Sequence, residues 1–259
     1  MLNAIEAAYL ASILGADFII GIGDPFYGML RTDIDRALLD AQKSLIKKGF
    51  IRIVDGQILE IDICIIGLIN TMIMPQLNVL VFRNDKEVKD REIVFHFKKG
   101  MCLMHSLPKE YKEEIAFELI DSKELAINKI ANQIPFLGYK NGEEINLQFN
   151  KRKLWENYNR GRTEYIEDNL ENNGSNYISQ ENIIGNILRN EEYFSVMALR
   201  LLNNEWIIKC YIYKLFKNKL WKIEIDFDHK IENAKIVSTS SSKTVKEIIE
   251  MIENLISVS

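Results

Sequence analysis

The sequence predicts an α+β fold, a central antiparallel sheet with helices packed on it and two pseudo-related halves. Three observations carry this. Several runs alternate apolar and polar side chains and are separated by short polar turns, the pattern of antiparallel strands. The order helix, strands, helix occurs twice along the chain. Near the N-terminus, "FIRIVDGQILEI" reads as a hairpin around Asp55-Gly56, and it follows a helix and Gly49, the order of a winged helix's C-terminal half.

Element by element, residues 5–14 read as an amphipathic helix stopped by Gly15. The next stretch, "GADFIIGIGDPFYGML", looks at first like a nucleotide site. A dinucleotide fingerprint needs glycines at its first, third and sixth positions. Gly21 and Gly23 fill the first two, but Phe26 takes the sixth and Pro25 removes a backbone donor, so the stretch reads as a bend. Thr32 or Asp33 can cap a second helix running through Lys48, with Ile34, Leu38, Ala41, Leu45 and Ile46 at helical spacing. After the hairpin, residues 62–74 form an apolar helix. Three strands follow, "QLNVLVF", "REIVFHF" and "MCLMHSL". "REIVFHF" is apolar on both sides apart from His96, as for a strand covered on both faces.

A long helix over residues 109–133 comes next, with Ile115, Leu119, Leu125 and Ile130 on one stripe. "INLQF" can add an edge strand. The second half repeats the order. A helix over 181–190 precedes the strands "SVMALRLL", "EWIIKCYIYKLF", "KLWKIEIDF" and "NAKIVSTS", and a helix over 244–256 closes the chain. In the third strand Trp221, Ile223, Ile225 and Phe227 share one face, and Lys222, Glu224, Asp226 and Asp228 the other, which is expected to be wet. The expected divisions are an N-terminal half over 1–150, a polar linker over 151–180 and a C-terminal half over 181–259.

Composition bounds the function classes. The 259 residues are 47% hydrophobic and 27% charged, with a net charge of −4, which argues against a nucleic-acid binder. The longest apolar stretch is broken by Asp62, Asn70, Pro75 and Asn78, and the N-terminus carries Glu6 with no basic start, so neither membrane insertion nor a signal peptide is expected. Cys64, Cys102 and Cys210 are odd in number, far apart and set in apolar runs, as buried reduced thiols of a cytoplasmic protein would be.

No catalytic, cofactor or metal constellation stands out. His96, His105 and His229 lack ligand spacing, and Cys102 and His105 on one strand point to opposite faces. Glu224, Asp226, Asp228 and Lys230 resemble the carboxylates and lysine of a Mg²⁺-dependent nuclease, but strand alternation alone accounts for a solvated charged face there. "KRKLWENYNRGR" offers cations and aromatics for a nucleic acid, yet "EYIEDNLE" follows and offsets the charge. Around the hairpin, Lys43, Lys47, Lys48 and Arg52 are similarly offset by nearby aspartates and Glu60, so a DNA-reading winged helix remains an alternative without a basic footprint.

The order of elements resembles the EspG family, the cytosolic substrate chaperones of type VII (ESX) secretion. The carriers are "LNAIEAAYLASILG", "ALLDAQKSLIKKGFIRIVDGQILEIDICIIGLIN" and "MPQLNVLVFRN…REIVFHFKKG", with Leu45, Gly49, Asp55, Gly56 and Pro75 in the matching places. Beyond residue 105 the match is by order of elements. The chain is rich in Ile, Asn and Lys where actinobacterial members are rich in Ala and Gly, which brings a chaperone of the related Firmicutes system into view. The resemblance implies a non-enzymatic cytoplasmic chaperone without cofactor, holding a helical secreted client of WXG100-like, LXG-like or PE–PPE-like type. Candidate partner-binding residues are Phe82, Phe95 and Phe97, each of which also suits a core position, and Asp85, Lys86 and Lys89 of the loop "RNDKEVKD".

Overall fold

A computed structural model describes residues 1–54, 57–107, 110, 113–136, 147–150, 187, 191–216, 218–226 and 233–257. In chain order the elements are β1 (Leu2–Asn3), α1 (Ala4–Ile13), α2 (Arg31–Lys47), β2 (Ile51–Val54), β3 (Gln57–Ile61), α3 (Ile63–Ile73), β4 (Leu77–Asn84), β5 (Arg91–Lys98) and β6 (Met101–Ser106). They continue with β7 (Glu114–Ile115), β8 (Phe117–Ile120), α4 (Lys123–Ala131), β9 (Leu147–Asn150), β10 (Tyr193–Leu202), β11 (Glu205–Phe216), β12 (Lys219–Asp226), β13 (Asn233–Thr239) and α5 (Ser241–Ser257). The chain divides into two units, Met1–Asn78 with Glu92–Ala126, and Val79–Arg91 with Ile127–Ser259. The nine strands of the large sheet run β8-β6-β5 in the first unit and β4-β10-β11-β12-β13-β9 in the second. The pairs β5/β6, β6/β8, β10/β11, β11/β12, β12/β13 and β13/β9 are antiparallel, as the alternation predicts.

In the first unit, α1 opens with a capping box. Asn3 Oδ1 accepts from the Glu6 N–H at 2.8 Å, and Glu6 Oε2 accepts from the Asn3 N–H at 2.9 Å. The helix is not amphipathic as expected, because Ala4, Ile5, Glu6 and Ala7 are buried in succession, around more than one face. α2 starts at Arg31 with Leu30 as its N-cap and no side-chain bond, so neither Thr32 nor Asp33 caps it. Its predicted stripe holds at Ala41 and Leu45, while Ile46 is exposed. Gly49, at φ 75°, closes the helix, with the Phe50 N–H reaching back to the Leu45 carbonyl at 2.9 Å. β2 and β3 form the predicted hairpin, with Ile51 opposite Ile61, and its Asp55-Gly56 turn lies outside the described residues. Asp62 caps α3 by accepting from the Cys64 and Ile65 N–H groups at 2.8 and 3.2 Å. Leu10, Leu45, Ile69, Met72, Leu103 and Ile115 close one core across α1, α2, α3, β6 and β7. Cys64, expected in the interior, is exposed at the start of α3, whereas Cys102 and Cys210 are buried. Burial pushes the Cys210 thiol up to about 12.

The bend between α1 and α2 shows what its glycines are for. Gly21 adopts φ 84°, and a Cβ built there would lie 2.3 Å from Val94 Cγ2 on β5. The glycine lets the backbone lie on the sheet, which no side chain would permit. Gly23, at φ 73°, has nothing within 4 Å of its missing Cβ. Gly21→Ala is therefore expected to destabilise the protein by about 2–4 kcal/mol, overpacking added to backbone strain, against about 1 kcal/mol for Gly23→Ala. Urea unfolding of the two variants side by side checks this, and equal losses would show that the Val94 contact is immaterial.

One predicted element is absent. Over residues 109–133, the expected long helix is instead β7, β8 and the short α4. β8 pairs along the free edge of β6, with Cys102 opposite Ile120 and His105 opposite Phe117. The predicted stripe is split accordingly. Ile115 and Ile130 are buried while Leu119 and Leu125 are exposed. Pairing an otherwise open strand edge outweighs helix propensity over "AFELI".

In the second unit, β13 pairs with β9, which supplies the expected edge strand. The face of β12 predicted to be wet is covered at Lys222, while Glu224 on the same face is partly exposed. Lys222 is buried beside Tyr213, its Nζ 3.1 Å from Glu247 Oε2 of α5 and 3.3 Å from Glu224 Oε2, and 4.8 Å over the Tyr211 ring. α5 also accepts the Arg200 guanidinium at the Leu255 carbonyl, fixing this helix on the sheet. Trp221, Ile223 and Ile225 are buried as the alternation predicts, and the acidic helix residue makes Lys222 buriable on the opposite face. The linker over 151–180, the stretch "KRKLWENYNRGR", and Phe227, Asp228, His229 and Lys230 lie outside the described residues, as does the helix expected over 181–190 apart from Ile187.

Candidate functional site

The residues expected to meet a partner fall into different settings. Phe95 and Phe97 share one face of β5 and are both buried, Phe95 completely. They fill the core, the ordinary role for phenylalanines in a strand covered on both sides. Phe82 on β4 is half-buried. Asp85 is also buried, and its carboxylate organises the loop that follows β4. Oδ1 accepts from the Glu87 and Val88 N–H groups at 2.7 and 3.0 Å, and Oδ2 pairs with the Arg83 guanidinium. Burial works to raise the Asp85 pKa, but these bonds and the Arg83 charge hold it below the ordinary carboxylate range. The side chains that this turn presents outward include Lys86 and Lys89. Lys86 reaches Glu192 only at 3.9 Å and is 86% exposed. Asp85 thus positions the loop, and Lys86 and Lys89 on it are exposed.

Two further features were not legible from motifs. The first is a buried histidine pair. The Lys99-Gly100 turn, with φ 48° and 85°, fixes the β5/β6 register so that His96 lies opposite Leu103 and diagonal to His105. The two rings stack at 5.1 Å, with Nε2 to Nε2 at 3.0 Å, and both are fully buried. His96 Nδ1 lies 2.6 Å from the Asn78 carboxamide, and His105 Nδ1 lies 3.0 Å from the Ser106 carbonyl. With the Asn78 oxygen inward, carbonyl acceptors close both ends and the line needs three protons, hence one positive charge. With the amide nitrogen inward, Asn78 donates and the line is satisfied with both rings neutral. Burial favours the neutral arrangement, lowering His96 well below its ordinary value and His105 to about 4. Only the hairpin register brings the two histidines together, with Asn78 arriving from β4, and sequence spacing gave no sign of it. Among the described residues no group of three or more His, Cys, Asp or Glu is placed to hold a metal ion.

The second feature is a groove of about 590 Å³ beside α1, lined by residues of α1, the bend that follows it and Leu38 of α2. Its glycines were visible in the sequence, but not that the bend arches over α1 to leave an open apolar concavity.

Among the described residues no helix is long and apolar enough to cross a membrane. No protein-family model matches the chain, and no curated protein matches it. Its structure is similar to that of the Mycobacterium tuberculosis type VII secretion system chaperone EspG5, solved in complex with the PE25–PPE41 dimer. The TM-score is 0.57 at 8% sequence identity, over 96% of this chain and 95% of that one. At that identity the likeness concerns architecture, and the chain has an EspG-like α+β fold built on a large antiparallel sheet.

Proposed function

We propose that the protein is a non-enzymatic cytoplasmic chaperone that binds a helical client of a type VII secretion system. The observation that carries this is the EspG-like fold over 96% of the chain, in a neighbour whose structure holds a PE–PPE dimer. A chaperone of this kind acts by stoichiometric binding. It covers an apolar tip of the client, keeps it dissolved and releases it to the secretion machinery, and no bond is made or broken. The client class comprises WXG100-like, LXG-like and PE–PPE-like helical proteins, and Lys86 and Lys89 on their fixed loop are available for its polar contacts.

The test is a tagged pull-down from the cytosol of the native host, with mass spectrometry of the bound fraction. One small helical secretion substrate at near-equal stoichiometry is the expected result. Recovery of nucleic acid, or of no client, would reduce the EspG likeness to shared architecture and reopen the winged-helix reading.

A further inference from the structure

We propose that the groove between α1, the bend over residues 15–26 and α2 is a docking site for one amphipathic helix carrying basic residues beside an apolar ridge. This rests on the chaperone reading and gives its client a place to bind. The α1 side of the groove is made of small residues at helical spacing, Ala8, Ala11 and Ser12, continued by Gly15, over which there is open space. Small side chains along one ridge let the backbone of a second helix come close.

The rim decides between a small molecule and a protein. Phe18, which lines the groove, is 62% exposed. A large aromatic side chain left in water on an apolar concavity suits a surface that a macromolecule covers. A ligand filling only the groove would leave that ring in water.

Charge sets the partner's chemistry. Between Ala7 and Leu30 the only charged side chains are Asp17 and Asp24, and both line the groove. Asp24 Oδ1 also accepts from the Phe26 N–H at 2.9 Å, which fixes that carboxylate at the groove. A helix with Lys or Arg flanking its apolar ridge meets these carboxylates favourably, and an acidic one is repelled.

The experiment uses the full-length protein and two fluorescent amphipathic helical peptides built from Ala and Leu, one with lysines on its polar face and one with glutamates. Fluorescence anisotropy should show the lysine peptide binding at least about tenfold more tightly than the glutamate peptide. Ala8→Trp, which fills the groove from a partly exposed position, should weaken the lysine peptide by about tenfold or more, with an unchanged circular dichroism spectrum. Asp17→Lys, a surface reversal that needs no repacking, should narrow the preference between the peptides by about threefold, and it decides the matter if Ala8→Trp does not fold. Equal affinity for the two peptides, no binding of the lysine peptide, or indifference to a folded groove variant would overturn the proposal. The chaperone reading fails separately: a client captured equally by the wild type and by Ala8→Trp would sustain that reading and remove the groove from it.

Discussion

Replacing Lys48 by methionine should destabilise the protein by about 2–4 kcal/mol at neutral pH, the loss that follows when a buried carboxylate is left without its cation. Glu6 has no exposed surface, and Lys48 Nζ sits 2.8 Å from its Oε2. The same ammonium reaches the Met1 carbonyl at 3.1 Å and Glu114 Oε1 at 3.5 Å, so it ties the N-terminus, α1 and β7 to the end of α2. Burial works to raise the Glu6 pKa, but hydrogen bonds from Lys48, Ser44 and the Asn3 N–H, with the Lys48 charge, outweigh it and hold the group below 4.5. Its contribution is therefore present above that value and is lost as the pH falls through the lowered folded-state pKa. Glutamine at position 6 keeps the capping box without the charge. The double variant Glu6→Gln/Lys48→Met should accordingly recover at least half of the loss. Urea unfolding of the single and double variants measures this, and a single variant as stable as the wild type would show that the pair contributes nothing net.

Acidification should unfold the protein from the histidine pair first. Both rings have folded-state pKa values below the ordinary 6.5, so below that pH the unfolded chain binds more protons than the folded one. Stability is full above pH 6.5 and falls as the pH drops toward the folded values, by about 2 kcal/mol at pH 5 for His105, with His96 adding in the same direction. The carboxylates of Glu6 and Asp85 join only at lower pH, because their unfolded values are 4.5 and 3.8. Urea midpoints at pH 7, 6 and 5 isolate the histidine window. His105→Gln keeps an amide beside His96 and should roughly halve the slope there. A wild-type midpoint that stays level from pH 7 to 5 would mean that the rings are not held as a neutral pair.

Local chemistry was readable where the signal is local. The β2/β3 hairpin followed from alternation on either side of a turn signal, α3 from the apolar run over 62–74, and β10–β13 from alternation with short polar turns. Gly21 and Gly23 were identified as parts of a bend because Phe26 and Pro25 deny the phosphate pattern. The contact of Gly21 with Val94 separates their roles, and it joins positions far apart in the chain.

The sequence by itself thus determined the class of fold, most of the strands and the glycine stop of α2. Tertiary structure alone decided the remainder. Residues 117–120 are strand because β6 offers an edge, residues 114–115 because β1 does, and Lys222 is buried because Glu247 of α5 lies over it. His96 and His105 meet because a two-residue turn fixes the β5/β6 register, and Asn78 reaches His96 from the neighbouring β4. Phe95 and Phe97 are core because β5 is covered on both faces, and the open concavity beside α1 exists because the bend over residues 15–26 folds back along that helix. Periodicity and capping depend on neighbours a few residues away, and a sequence records those directly. Edge pairing, burial of a charged face and the shape of a concavity depend on which distant element arrives, and that is set by the packing of the whole unit.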